Sequence, residues 1–153
     1  MDSLNLPAYE YRLDKRDGKL VIFDPIRKKF VVLTPEEWVR QHFIHFLTGS
    51  LGYSMSRMSV ETGNKYNQLQ KRSDILFYDE FMKPLVIVEC KAPSVKITQN
   101  AFDQVAVYNK TLKAKLLIVT NGMAHYACWF DEENQKVSFL DEIPSLQELK
   151  AMI

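Results

Sequence analysis

Cysteine is scarce in this sequence: Cys90 and Cys128 are the only two in 153 residues. That is too few for a secreted disulfide scaffold, and neither has a second Cys/His pair at zinc spacing, so both read as buried thiols and structural zinc is not expected. Long apolar runs are missing too. No stretch approaches the roughly 18 residues a membrane span needs, and charges punctuate the N-terminal region where a secretory signal would be apolar, so the expectation is a cytoplasmic protein with no membrane partner. Charge of one sign is also lacking, because twenty Lys and Arg stand against nineteen Asp and Glu. This excludes a histone-like polycation or an acidic tail as a description of the whole chain, and any affinity for nucleic acid must come from local patches. There are no internal repeats or low-complexity segments. What is present, 46% hydrophobic and 25% charged residues in 17.9 kDa, suits one domain over residues 1–153 with a sizeable core.

Asp17-Gly18 ends a polar stretch, after which Lys19 to Phe23 and Lys29 to Leu33 read as two short strands around Pro25, a hairpin at the edge of the fold. Thr34-Pro35-Glu36-Glu37 announces a helix to about Leu47: Thr34 caps it, Pro35 takes the first helical position, and Glu37 completes a capping box. Val39, Phe43, Phe46 and Leu47 form its apolar stripe, and Thr48-Gly49-Ser50 closes it. Tyr53 to Glu61 is weakly β, and Thr62 to Arg72 reads as a polar loop. Two strand-like runs follow, Asp74 to Asp79 and Leu85 to Lys91, the second almost continuously apolar, as the centre of a sheet covered on both faces would be. Thr98 to Leu112 carries Ala101, Val105 and Tyr108 at helical spacing, and Leu116 to Thr120 is another β-branched run, so strand, helix and strand suggest a right-handed βαβ unit. Asn121-Gly122 marks a turn into Ala124 to Phe130, followed by Val137 to Leu140 and a short amphipathic helix from Ser145. The pattern is α/β, with a mixed β-sheet flanked by helices and an N-terminal hairpin.

Side chains alternate along a strand, so Leu85, Ile87, Glu89 and Lys91 share one face. Two ionisable groups thus end the most apolar strand, where each costs several kcal/mol unless paired or solvated in a cleft. If the two runs form a hairpin centred between Phe81 and Met82, Asp74 lies opposite Glu89, Leu76 opposite Ile87 and Tyr78 opposite Leu85. Two carboxylates about 4 Å apart repel by roughly 4 kcal/mol at an effective dielectric of 20, so something positive must sit between them. Lys91 is one candidate. The other is Mg²⁺, which is held by one or two carboxylates with waters and a phosphate completing its octahedron. A surface salt bridge at a frayed hairpin end is the plainer reading of the same residues.

Asp74, then Glu89-Cys90-Lys91 on the neighbouring strand, then a helix with Gln104 and Tyr108 one turn apart, resembles the active-site signature of the PD-(D/E)XK nuclease superfamily. More specifically, Arg72-Ser73-Asp74-Ile75, the run from Pro84 to Pro93, Gln104 to Asn109 and Val119-Thr120-Asn121-Gly122 are similar to the N-terminal nuclease domain of type I restriction enzyme R subunits. The resemblance implies a restriction-endonuclease-like fold and a Mg²⁺-dependent DNA endonuclease that hydrolyses phosphodiester bonds, with Mn²⁺ able to substitute. It implies DNA as partner, together with other restriction-system subunits or a second copy of the chain. Asp74 and Glu89 would hold the metal with the backbone carbonyl of Cys90, and Lys91 would face the attacking water. Gln104 would support Lys91 or touch the DNA backbone. The family often adds a glutamate from the first helix; a helical wheel puts Glu36 inward with Val39, Phe43 and Leu47 and Glu37 sideways, so Glu36 is the expected one. The helicase motor that follows in restriction subunits is not expected of these residues, which contain no Walker-type glycine loop.

Charge is distributed unevenly. Arg57, Lys65, Lys71 and Arg72 stand against Glu61, and five lysines between 91 and 115 against Asp103, whereas residues 131–150 carry six acids and two lysines. Basic stretches thus flank the candidate site, and Lys71, Arg72, Lys96 and Tyr108 are the expected nucleic-acid contacts. The alternative function is a nuclease fold that binds DNA or a partner protein without cutting. His42, His45 and His125 lack a third ligand nearby and read as surface or core residues, and the two tryptophans and most phenylalanines as core.

Overall fold

The hydrophobic pattern resolves into two sheets and three α-helices in the computed structural model, which describes residues 1–62, 73–133 and 136–153, without the side chains of residues 61, 62, 73 and 74. The first sheet is an antiparallel meander of β1 (Leu13–Arg16), β2 (Lys19–Asp24) and β3 (Lys29–Val32). The expected hairpin is β2–β3, and it gains a strand. Asp17 and Gly18, at φ of 51° and 75°, make the tight left-handed turn that folds β1 back onto β2. All four residues of β1 are exposed, so no inside–outside alternation marked them as a strand.

The second sheet, among the described residues, contains β4 (Met58–Thr62), β5 (Ser73–Tyr78), β6 (Pro84–Cys90), β7 (Leu116–Thr120), β8 (His125–Asp131) and β9 (Lys136–Leu140), ordered as numbered. All neighbours are antiparallel except β6 and β7, which run parallel and are joined through α2 (Gln99–Leu112). α1 (Pro35–Gly49) and α3 (Leu146–Met152) pack on one face of this sheet and α2 on the other. Parity sorts the core accordingly. Ile75, Phe77, Val86, Val88, Cys90 and Ile118 meet α1, while Leu76, Ile87, Leu117 and Val119 meet Phe102 and Val105 of α2. Cys90 and Cys128 are buried thiols outside any disulfide, on opposite faces, and burial pushes the Cys128 thiol up to about 11.

Helix boundaries follow their signals. Thr34 accepts a hydrogen bond from the Glu37 amide, Pro35 opens α1, and Ser145 caps α3 in a reciprocal box with Glu148. At α1 the expected box is only half built, because the Glu37 carboxylate turns away from the cap. It is buried, and accepts hydrogen bonds from Arg27 at 2.9 Å, from Gln41 at 3.0 Å and from Arg40. Arg27 also binds Asp24 at the end of β2, so a ladder of buried charge fastens the small sheet to α1. Above it Tyr9 stacks on His45 with centroids 3.8 Å apart, and the Trp38 indole donates to the Asp2 carbonyl at 2.8 Å.

Removing one member of such a ladder leaves its partner charged and dry. Glu37→Ala, which takes a buried carboxylate away from Arg27 and from an Arg40 only 2% exposed, is expected to lower unfolding free energy by about 3–5 kcal/mol. Glu37→Leu combined with Arg40→Met should cost much less in urea titrations; equal losses would contradict this account.

Candidate functional site

β6 is buried from Leu85 to Cys90 because it lies inside the sheet with helices over both faces. Glu89 interrupts that apolar run with a side chain only 6% exposed. Its Cα faces Asp74 on β5 and Val119 on β7. The expected pairings of Asp74 with Glu89 and of Leu76 with Ile87 are formed, but Tyr78 meets Pro84 rather than Leu85, after a bulge between Phe77 and Tyr78. The hairpin connection accounts for the shift. Asp79 accepts from the amides of Phe81 and Lys83 at 2.8 and 2.9 Å, and Met82 turns left-handed at φ 62°, which tightens the loop beyond a symmetric hairpin.

Glu89 shares its face with Leu76, Ile87 and Val119, the apolar surface beneath α2. Its Oε1 lies 3.2 Å from the Lys91 Nζ, and the Lys91 side chain is 28% exposed. Its Oε2 is buried and finds no hydrogen-bond partner among the described residues. The ion pair of the plainer reading therefore exists, but at the end of a buried strand rather than a frayed one, with half of the carboxylate unsatisfied. Such an oxygen carries a desolvation cost that a cation would offset.

The other expected site residues distribute as follows. Asp74 is placed by backbone register, opposite Glu89. Cys90 is buried toward α1. On α2, Ala106 and Lys110 line a cleft toward Phe130 of β8, which leaves the flank with Gln104 and Tyr108 toward β6 and β5, the side of Glu89. Gln104 is exposed, and Tyr108 is half-buried against the apolar cluster between α2 and the sheet. Lys96 is exposed in the β6–α2 connection. Lys71 and Arg72 lie outside the described residues.

The wheel assignment on α1 is reversed in burial. Glu37 is the buried glutamate, and Glu36 is 38% exposed with Arg40 at 3.5 Å. The wheel located only the stripe facing the large sheet, whereas Glu37 points to a flank covered by the small one. α1 packs on the face opposite Glu89, yet its Val39 meets Gly122, just past the end of β7, so the first turn of α1 stands at the same end of the sheet as Glu89 and Lys91. Among the described residues no group of three or more His, Cys, Asp or Glu side chains is arranged to hold a metal. No helix among them is long and apolar enough to cross a membrane.

One group at this end went unassigned by sequence reasoning, the turn after β7. The Lys91 amide donates to the Thr120 carbonyl at 2.8 Å, and Asn121 leads into Gly122 at φ 84°. His125 spans the turn. Its Nε2–H donates to the Asn5 carbonyl at 2.9 Å, so Nδ1 accepts from the Thr120 hydroxyl at 2.7 Å, and that oxygen accepts from the Gly122 amide at 3.0 Å. In the sequence Asn121-Gly122 reads as a turn after an apolar run and, with Val119-Thr120, as part of the family resemblance, and neither signal gives these residues a role.

A mixed sheet with a parallel central pair, a crossover helix, and an acid–lysine pair ending the middle strand defines a restriction-endonuclease-like α/β domain. Residues 35–144 match the family described as the N terminus of the type I restriction enzyme R protein. The chain belongs to that family, and is a nuclease-like domain of the R-subunit type. A structure described as a fragment of an HsdR subunit of a type I restriction enzyme from Vibrio vulnificus YJ016 is similar in fold, with a TM-score of 0.53 at 21% identity over 78% of this chain. The chain spans 25% of that one. No curated protein matches.

Two outcomes follow from the geometry. Lys91→Met deprives a buried carboxylate of its counter-charge and is expected to cost about 1–3 kcal/mol in urea unfolding, while adding Glu89→Leu restores most of the loss; additive losses would contradict the pairing. Burial lowers the His125 pKa, with an opposing pull from the Asn5 carbonyl. The unfolded chain therefore takes up a proton there before the folded one does. The resulting stability is complete above the unfolded value of about 6.5 and is lost as pH falls through the folded value. Unfolding free energy should fall from about pH 7 to about pH 5, less steeply in His125→Gln; an unchanged slope would contradict this.

Proposed function

We propose that the Glu89–Lys91 end of the large sheet is the active site of a Mg²⁺-dependent DNA endonuclease domain, with Mn²⁺ able to replace Mg²⁺. The observation that supports this reading is the buried Glu89 oxygen without a hydrogen-bond partner among the described residues, one strand from Asp74 and beside a partly exposed lysine. A merely structural strand would have an apolar side chain at Glu89, because replacing buried ion pairs with packed hydrophobes is often stabilising. The donor set also suits a hard cation: the carboxylates of Asp74 and Glu89 and the carbonyl of Cys90 are oxygen ligands of the kind Mg²⁺ takes. A bound cation would supply polarisation of both a water and the scissile phosphate.

The chain's own groups carry the rest. Glu89 orients the Lys91 ammonium through its Oε1, and that ammonium favours hydroxide over water and offsets negative charge that grows on the phosphate during in-line attack. No protein nucleophile is required. Gln104 and Tyr108 project from the flank of α2 on the same side, suited to steadying Lys91 or a phosphate, and Lys71, Arg72 and Lys96 supply positive charge for the DNA backbone. Glu36 stands at the same end of the sheet, where it would reach metal-bound waters or the DNA from the other face. Other restriction-system subunits or a second copy of the chain are the partners that the family membership favours. The competing reading, binding without cutting, is favoured only by the Glu89–Lys91 ion pair itself, which a module of that kind would also keep.

Supercoiled plasmid incubated with Mg²⁺, Mn²⁺ or chelator distinguishes the two. Metal-dependent nicking that falls about 10²–10³-fold in both Asp74→Ala and Lys91→Ala is expected. Cutting that survives chelation or both substitutions would overturn the assignment, and metal-independent DNA retention without cutting would establish the binding module.

A further inference from the structure

The strand that carries Glu89 ends one residue before Lys91, so β6 alone does not fix the lysine. Two contacts do. One is the Lys91 amide on the Thr120 carbonyl. The other lies across the turn that follows, where Val95 donates its amide back to Ala92 at 3.0 Å and its carbonyl accepts from the side-chain amide of Asn121 at 2.8 Å. Residues 91–95 are thus pinned at both ends to the residues that close β7.

Asn121 is 8% exposed, and each half of its side chain has a separate task. The Oδ1 accepts the amides of Met123 and Ala124 at 2.9 and 2.8 Å, which shapes its own turn. The Nδ2 reaches out of that turn to the Lys91 loop. The turn is itself held from outside: the Asn5 amide donates to the Gly122 carbonyl at 2.8 Å, and a Cβ on Gly122 would meet Leu4 at 2.8 Å and Val39 at 3.0 Å. Such a rigid platform, built from the N-terminal arm, α1 and β7 together, exceeds what closing a strand requires.

We propose that Asn121 is a positioning residue that sets where Lys91 stands relative to Glu89, through its Nδ2 bond to the Val95 carbonyl. The proposal rests on the cleavage reading above for its catalytic consequence, but its structural content does not. In a site of this kind the ammonium must stay within reach of the attacking water, and a displacement of about 1 Å can cost 10²-fold in rate.

Asn121→Asp and Asn121→Ser test it. Both retain an oxygen that can accept the turn amides, neither can donate to Val95 as Asn121 does, and Ser adds no charge. Amide hydrogen exchange and plasmid cleavage are measured on native and variant chains. Exchange of the Lys91 and Val95 amides is expected to quicken about tenfold in both variants while β6 and β7 stay protected, with kcat falling about tenfold and KM for DNA within about twofold. Exchange of these two amides equal to native in both variants would overturn the proposal, as would quickened exchange with unchanged kcat. If the native protein does not cleave DNA, the cleavage reading falls by itself, and the exchange data still decide whether Asn121 holds the Lys91 loop.

Discussion

A carboxylate at the end of a buried strand is the constraint around which this domain is arranged. β6 lies between two neighbours and under helices on both faces, a position that favours apolar side chains throughout, and five of its seven residues are apolar from Leu85 to Val88 and at Cys90. Glu89 breaks the pattern where desolvation is severe. Lys91, two residues on and therefore on the same face, is the local answer, and it satisfies one of the two oxygens. Parallel pairing with β7 holds this end of the strand in place, because the Lys91 amide takes the Thr120 carbonyl once the ladder runs out.

The elements far from Glu89 in sequence converge on the same end. The crossover to α2 starts there, the turn after β7 closes there, and the first turn of α1 stands beside it through Val39 and Gly122. The N-terminal arm reaches across to bind both Gly122 and His125. The small sheet serves this arrangement indirectly, through the buried ladder from Asp24 by way of Arg27 to Glu37 and Arg40 that anchors the start of α1. Charge is thereby buried twice in the domain for different ends: in the ladder it is saturated with partners, at Glu89 it is not.

Much of this was legible in the residues. A hairpin centred between Phe81 and Met82, with parity agreeing along both apolar runs, sufficed to oppose Asp74 to Glu89, although the loop departs from that symmetry at Tyr78. Thr34-Pro35 and Ser145 with Glu148 announced their helices through capping chemistry that is local by nature. What stayed hidden depends on neighbours distant in sequence. β1 has no buried face and hence no alternation, the burial of Glu37 exists only because a second sheet covers that side of α1, and the Tyr78 bulge comes from the way Asp79 ties the loop. Phe81 and Phe139 are exposed where aromatic residues suggest core, and Asn121 looked like half of an Asn-Gly turn until its amide was seen to reach Val95.

The claim that the unsatisfied Glu89 oxygen exists to meet a divalent cation is open to direct observation. Crystals of the protein soaked in Mn²⁺ should show an anomalous difference peak about 2.1–2.2 Å from a Glu89 carboxylate oxygen, between it and Asp74, and the peak should vanish in Glu89→Gln. A map without a peak at that position, with both Glu89 oxygens engaged by Lys91 and other protein groups, would contradict the account.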